Sequence, residues 1–327
     1  MKKILIVLLL VLMISTAFVF KTTEPVKPDY SFNQTSDSAA LVHYLQALAG
    51  KEKNPLLKRH FESLLLMTQD KTHGFSFTEK NSKDAAQVLQ FLKGEGRQLQ
   101  TYLLKPRPLI MAFTSPTDHK NSYYWLFLPK GIGGEGEKFP LFVELHGSGG
   151  GTNNNPREML YLPLQPEIAG VTAQGYRKEG VFILPWGRGD KGYRDMAETD
   201  IWECIADVDK NFKLDPQRQY LYGFSMGGGG TYKLSQKSAD RWAAIGLYSA
   251  AFRDSTFEDV AKLKGMPVWM AWGEEEKQLT SKNRSLKEVF LKQGNELWWI
   301  EKKGVGHNYM GQYQDSLMNW FSRHKKN

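Results

Sequence analysis

The chain has 327 residues, a formal net charge of +8 at pH 7, 41% hydrophobic residues and 24% charged residues. These are the values of a globular protein, and the length suffices for one large domain with an appendage or for two small domains. The basic residues form no block and are not interleaved with aromatic residues, which argues against a nucleic-acid partner. The single cysteine, Cys204, excludes a disulfide within the chain and stands in an apolar, helix-like setting that is typical of a buried thiol.

The first twenty residues have the pattern of an export segment. Lys2 and Lys3 precede an apolar run over residues 4–14, and residues 15–17, Ser-Thr-Ala, place small side chains around a cleavage site. The pattern predicts a signal peptide and a periplasmic or extracellular protein. Without cleavage, the apolar run to residue 20 is just long enough for a membrane anchor, which is the one membrane contact that the sequence predicts. Residues 21–37, with two prolines, are predicted to be a linker.

Residues 38–105 are predicted to form a small helical region. Leu41, Tyr44, Leu45 and Leu48 recur at the spacing of one helix face, and similar runs follow at 56–65 and 84–92. These apolar stripes carry no recognisable chemistry. They favour a helical cap or packing appendage, with a substrate-binding module as the alternative. The three histidines of this region, His43, His60 and His73, are interpreted as surface or structural residues.

From residue 109 onward the hydrophobic pattern changes from helical to strand-like, and residues 106–327 are predicted to be one α/β domain. Three strands come first, and strands and helices alternate afterwards. The predicted strands are 109–113, 122–128, 139–145, 181–184, 220–224, 243–248, 268–272 and 297–300, and the predicted helices are 168–176, 198–212, 226–238, 286–292 and 312–322. This alternation predicts a mostly parallel sheet with helices on both faces. Sites in such sheets lie beyond the carboxyl ends of the strands.

A Gly-x-Ser-x-Gly pentapeptide at 223–227 follows the apolar strand ending at residue 224 and precedes a helix-like segment. This is the layout of a nucleophile elbow, a sharp strand-to-helix turn that projects the serine hydroxyl above the sheet. Glycines on both sides of the serine remove the Cβ atoms that would collide across such a turn. The pattern predicts that Ser225 is a nucleophile.

The strand 139–145 ends in a glycine-rich loop, His146-Gly147-Ser148 followed by three further glycines. Such a loop can direct backbone N–H groups into a cleft, as an oxyanion hole requires. We therefore predict that the N–H groups of Ser148 and Met226 form the oxyanion hole. A phosphate-binding loop fits poorly, because no Gly-Lys-Ser/Thr ends the loop and no helix-like segment follows it.

A serine hydroxyl needs a general base to become a nucleophile at neutral pH. In this arrangement the base follows the serine and lies after the last strand. Among the seven histidines, His307 stands there with glycines that allow a close approach, whereas His324 lies in a basic tail. We predict that His307 is the base.

An acidic residue must orient the imidazole, and it usually follows the strand 268–272. Three glutamates, Glu274, Glu275 and Glu276, stand at this place, and they cannot all face one histidine. Glu276 is the preferred candidate. Glu274, Glu275 and Asp254, which follows the preceding strand, remain alternatives.

From about Leu109 to the C-terminus the sequence resembles an α/β-hydrolase of the esterase branch, near polyhydroxybutyrate depolymerases, feruloyl and acetylxylan esterases and the catalytic domains of prolyl oligopeptidase-type peptidases. The resemblance rests on five stretches: the His-Gly loop at 146–147, Gly-Arg-Gly at 187–189 with Tyr193 and Glu198-Thr199-Asp200, the segment 214–218, the serine elbow and Gly306-His307. Members of the esterase branch often carry His-Gly-x-x-Asp where this chain has Trp272-Gly273-Glu274-Glu275-Glu276. The acid is therefore carried over to Glu276 by position.

The resemblance implies acyl transfer to Ser225 and then to water, without a metal or another cofactor. The expected substrate is a small-molecule or polysaccharide ester, such as an acetyl or feruloyl side group. The export pattern favours this interpretation. Trp186 is expected near the cleft, where it could stack on a sugar or aromatic acyl group and so favour the same interpretation, but simple packing of its loop is the preferred alternative. A prolyl oligopeptidase-type peptidase is an alternative, but the segment before residue 106 is too short and too helical for a propeller. A catalytically inactive hydrolase-like binding protein is the other alternative.

Overall fold

The computed structural model describes residues 34–70, 109–129, 132, 138–148, 180–252, 257–308 and 311–326. Outside these residues lie the predicted export segment, most of the predicted linker, His73, the apolar run 84–92 and the weak helix 168–176. All of the described residues belong to one compact unit. None of the described helices combines the length and the apolar character that crossing a bilayer requires.

An eight-stranded sheet forms the centre of this unit, in the order β1-β2-β4-β3-β5-β6-β7-β8. β2 runs antiparallel to both of its neighbours, and the other adjacent pairs are parallel. The strands are β1 (Leu109–Thr114), β2 (Asn121–Phe127), β3 (Phe139–Leu145), β4 (Val181–Pro185), β5 (Leu214–Phe224), β6 (Ala244–Tyr248), β7 (Val268–Gly273) and β8 (Leu297–Lys302). The predicted mostly parallel sheet with flanking helices is confirmed.

Six α-helices occur in the described ranges, together with two short 3-10 helices at Glu258–Leu263 and Gly311–Tyr313. The α-helices are α1 (Gln34–Lys51), α2 (Pro55–Gln69), α3 (Met196–Asn211), α4 (Met226–Lys237), α5 (Gln278–Gln293) and α6 (Gln314–Arg323). α1 begins inside the predicted linker, and α5 begins eight residues before its predicted start. The first two turns of α5 are polar apart from Leu279, so hydrophobic periodicity gives little signal there.

The sheet carries a core rich in aromatic side chains. Phe142 stacks on Phe182 at a centroid distance of 4.2 Å, and Tyr220 stacks on Phe321 of α6 at 4.7 Å. Cys204 of α3 is fully buried, and burial raises the pKa of its thiol well above the ordinary value. The thiol is therefore an apolar core group, as predicted, and stays protonated at neutral pH.

Side chains of α2 occupy the outer edge of β1, where a further strand would otherwise pair. The Ile110 N–H donates to Nδ1 of His60 at 2.8 Å, and the Ala112 N–H donates to Oγ of Ser63 at 2.9 Å. Arg59 donates to the Ala112 carbonyl at 3.2 Å and to Asp207 of α3 at 2.5 Å. Because an unpaired strand edge can add foreign strands, these contacts protect the sheet as well as attach the helix.

The buried His60 predicts a loss of stability in acid. Burial lowers the pKa of His60 to about 4 from its ordinary value of 6.5, so protons bind more tightly to the unfolded chain. Stability is therefore lost as the pH falls from 6.5 towards 4, by about 3 kcal/mol in total. Urea unfolding between pH 7 and pH 4.5 should show a steeper loss for the wild type than for His60→Gln, whose amide oxygen can still accept the Ile110 N–H. Parallel losses in the two proteins would contradict this assignment.

Candidate active site

Ser225 lies at the sharp turn between β5 and α4. Its backbone has φ 55° and ψ −115°, a region that residues with a Cβ rarely occupy. Three hydrogen bonds hold the turn: the Ser225 N–H donates to the Tyr248 carbonyl at 2.9 Å, and the Ser225 carbonyl accepts from Gly229 and Ala251. The strained residue is thus fixed by neighbouring backbone, as the elbow pattern predicts.

Gly227 makes this turn sterically feasible. A Cβ at this position would lie 1.9 Å from the Leu145 carbonyl oxygen at the end of β3. The first turn of α4 can therefore press against the strand that leads into the glycine-rich loop. The second glycine of the pentapeptide thereby brings the serine and the loop together.

His307 lies after β8 and faces the serine. Its Nε2 is 2.8 Å from Oγ of Ser225, which is hydrogen-bond distance. The Phe224 ring stacks on the imidazole with a centroid distance of 4.9 Å and an angle of 21° between the planes. The histidine side chain remains 35% exposed, so a substrate can approach from the solvent side.

Glu276 holds the other ring nitrogen. Its Oε2 lies 3.0 Å from Nδ1 of His307, and its side chain is fully buried. Oε1 accepts hydrogen bonds from the Gly273 N–H and from the Ser249 hydroxyl, the latter at 2.6 Å. This arrangement assigns the proton to Nδ1 and leaves Nε2 as the acceptor for the serine hydroxyl.

The three candidate glutamates have different surroundings. Glu274 and Glu275 are exposed, and Glu274 accepts a hydrogen bond from the Gly304 N–H at 3.1 Å. Glu276 alone among the three contacts His307. Asp254, the fourth candidate, lies outside the described residues.

The loops that carry Glu276 and His307 are packed against each other at Gly273. A Cβ on this residue would lie 2.2 Å from the Val305 carbonyl oxygen and 2.6 Å from that of Gly306. The Glu275 N–H also donates to the Val305 carbonyl at 2.9 Å. The absence of a side chain at residue 273 therefore sets the distance between the two loops.

We expect Gly273→Ala to lower kcat/KM by about 10²-fold, because a displacement of about 1 Å between reacting groups has a cost of this size. The Cβ would push the Val305–Gly306 segment, and His307 with it, away from Ser225. Kinetic constants with a chromogenic ester, together with the melting temperature, measure the effect. Gly306→Ala is the matched control, because a Cβ there meets no atom within 4 Å. Equal losses in both variants would show that the contact at residue 273 is unimportant.

The start of the glycine-rich loop is tied to the turn after β4. Nε2 of His146 lies 2.9 Å from the Trp186 carbonyl, and the Tyr193 hydroxyl donates to the His146 carbonyl at 2.9 Å. Ser148 is the last described residue of this loop, and Met226 directly follows Ser225 as the first residue of α4. An N–H in the first turn of a helix has no intrahelical partner, so the Met226 N–H can donate a hydrogen bond to an oxyanion.

The Gly-Arg-Gly segment at 187–189 supports the same turn. Arg188 has φ 58°, and its guanidinium donates to Asp200 at 2.9 Å and to Asp118 at 3.1 Å. The ion pairs join this turn to α3 and to the β1–β2 connection. Arg188 and Asp200, which belong to the stretches on which the resemblance rests, therefore position the Trp186 carbonyl that His146 contacts.

Of the two interpretations of Trp186, the structure supports packing within the protein and not stacking on a substrate. Its side chain is 4% exposed and lies against Tyr123, with ring centroids 6.3 Å apart. The position beyond a strand end is as expected, but the ring turns into the core. Sequence position alone does not reveal this direction.

Two residues that contact Glu276 and His307 are not indicated by any sequence motif. Ser249, directly after β6, binds Glu276, and Phe224, the first variable residue of the pentapeptide, stacks on His307. The place of Ser249 beyond a strand end was the available signal, but serines are too common for it to stand out. No group of three or more His, Cys, Asp or Glu side chains within the described ranges is arranged to hold a metal ion.

No family model and no curated protein matches the sequence. Solved structures do match. A thermostable esterase aligns over 68% of this chain and 64% of its own, with a TM-score of 0.57 and 20% identity. A ferulic acid esterase aligns over 65% and 96%, with a TM-score of 0.52 and 20% identity. An S-formylglutathione hydrolase from Agrobacterium tumefaciens aligns over 66% and 95%, with a TM-score of 0.50 and 14% identity.

The aligned part spans less than two thirds of the thermostable esterase. At these identities the matches establish the fold. The chain has the α/β-hydrolase fold, as the sequence resemblance implies.

Proposed function

We propose that this protein is a serine carboxylic-ester hydrolase in which Ser225 is the nucleophile, His307 the general base and Glu276 the acid that orients it. The observation that carries the proposal is the unbroken hydrogen-bond chain from Glu276 through His307 to Ser225, with distances of 3.0 and 2.8 Å. The three residues follow β7, β8 and β5. They therefore meet at the edge where parallel sheets place their sites.

In the first half-reaction, Oγ of Ser225 attacks the carbonyl carbon of the ester while its proton moves to Nε2 of His307. Glu276 accepts a hydrogen bond from the Nδ1–H group, and its negative charge stabilises the imidazolium that forms. The carbonyl oxygen becomes an oxyanion, to which the N–H groups of Met226 and Ser148 donate hydrogen bonds. The tetrahedral intermediate then collapses, and the alcohol leaves with the proton from Nε2.

In the second half-reaction, water replaces the alcohol. The oxygen of the water attacks the acyl-serine carbon while His307 takes one of the water protons. His307 then gives that proton to Oγ of Ser225 as the carboxylic acid leaves. Every proton is accounted for by these side chains, and the steps need no metal or other cofactor.

We further propose that the substrates are small esters or ester side groups of polysaccharides, such as acetyl or feruloyl groups, and that the protein acts in the periplasm or outside the cell. The signal-like pattern of residues 1–20 supports the location, where such polymers are met. A solved structure with the same fold is a ferulic acid esterase, which makes feruloyl esters a reasonable first choice of substrate. The burial of Trp186 removes it from the recognition of these groups.

Purified protein should be assayed on p-nitrophenyl acetate, methyl ferulate, acetylated xylan and a proline-containing peptide. We expect ester turnover, and covalent labelling of Ser225 by a fluorophosphonate, identified by peptide mass spectrometry. Cleavage of the peptide without cleavage of any ester would favour the peptidase alternative. Absence of both turnover and labelling would favour an inactive binding protein, and either result would overturn the proposal.

A further inference from the structure

We infer that Ser249 is a positioning residue that fixes the orientation of the Glu276 carboxylate, and through it the imidazole of His307. The inference deepens the proposed function and rests on it for its kinetic consequence. Ser249 directly follows β6, the strand between the serine strand β5 and the acid strand β7. It is therefore a fourth strand-end residue contributing to the site.

The contact itself is short and excluded from water. Oγ of Ser249 donates to Oε1 of Glu276 at 2.6 Å, and the side chains of both residues are buried. A hydrogen bond to a carboxylate is stronger than one between neutral groups. In the absence of water, a carboxylate oxygen that loses one of its donors cannot replace it with a solvent molecule.

The backbone fixes the hydroxyl in place. Ser249 has φ 42°, in the left-handed region, and its N–H donates to the Ala271 carbonyl of β7 at 2.7 Å. A residue other than glycine in this region is strained unless its surroundings hold it there. The strain is retained at a position whose side chain binds the acid.

The two oxygens of Glu276 have separate partners. Oε1 is held by Ser249 and by the Gly273 N–H, while Oε2 binds His307. With both donors on Oε1, the carboxylate cannot rotate about its last bond without breaking them. Removal of the Ser249 hydroxyl leaves one donor, so the carboxylate gains freedom to turn away from Nδ1.

The kinetic test is a double-mutant cycle with Glu276→Gln. We expect Ser249→Ala to lower kcat about tenfold with KM nearly unchanged, because the loss lies in transition-state stabilisation. In the Glu276→Gln background the same change should cost less than about twofold, because the group it positions is already disabled. Ser249→Gly, which suits the positive φ and also lacks the hydroxyl, should behave as Ser249→Ala does. Additive losses, or no loss in either variant, would overturn the inference.

A spectroscopic readout separates this inference from the proposed function. The Nδ1 proton of His307 should give a downfield proton resonance in the wild type that is absent from His307→Ala. We expect Ser249→Ala to shift this resonance upfield or to lose it through exchange with water. An unchanged resonance would refute the positioning role, even if the wild type hydrolyses esters. A shifted resonance in a protein without esterase activity would support the role and refute the proposed function instead.

Discussion

Ser225→Ala is expected to lower kcat/KM by at least about 10⁴-fold for every ester that the protein hydrolyses. The alanine variant has no oxygen to form the acyl intermediate, so only binding and oxyanion stabilisation remain, and these leave residual rates of this order. The fold should be unaffected, because the turn is held by backbone hydrogen bonds that alanine retains. Initial rates with p-nitrophenyl acetate and methyl ferulate, with the melting temperature as a check on folding, measure the effect.

Ser322→Ala is a suitable control, because Ser322 is exposed on α6 and its hydroxyl only contacts the Asn319 carbonyl. It should keep wild-type rates. Ester turnover that persists in Ser225→Ala at more than a few per cent of the wild-type rate would show that the nucleophile is another group.

Glu276→Gln is expected to lower kcat by about 10³-fold or more with a small change in KM. The amide preserves the shape of the side chain but lacks the charge that stabilises the imidazolium, and its NH₂ group competes as a donor where His307 needs an acceptor. The loss should therefore appear in acyl transfer rather than in substrate binding. Steady-state kinetics and the rate of fluorophosphonate labelling of Ser225 should fall together.

Glu275→Gln and Glu274→Gln are matched controls one and two residues away on the same turn. Both side chains are exposed, so we expect effects below about twofold. Equal and small effects of all three substitutions would exclude Glu276 as the acid. Asp254 would then be the next residue to test.

The convergence of Ser225, His307 and a glutamate after β7 could be predicted, because each of them follows a strand whose apolar pattern is plain. The elbow serine has glycines around it, and Gly304 and Gly306 precede the histidine after the last strand. Parallel strands bring such ends to one edge, so separate local signals predicted one cleft. The choice among adjacent glutamates was different, because it depends on which side chain points inward at the turn after β7.

Other features depend on contacts that local sequence does not encode. β5 begins at Leu214, six residues before its predicted start, and Leu214 pairs with Phe139. The sequence pattern does not predict this part of the strand, because Pro216 and its charged neighbours are unfavourable in strands. The direction of the Trp186 ring depends on packing against β2. The binding of Ser249 to Glu276 joins residues 27 positions apart. Each of these contacts is set by tertiary packing rather than by propensity.

The attachment of α2 to β1 has a practical consequence for shortening the protein. A chain that started at Leu109 would keep every residue of the motif-bearing segment, yet its outermost strand would lose the side-chain partners of Ile110 and Ala112. The apolar surface now covered by Leu57, Phe61, Leu64 and Met67 would meet solvent. Such a truncated protein should self-associate through its bare strand, so soluble expression requires the helical segment even though the chemistry resides elsewhere.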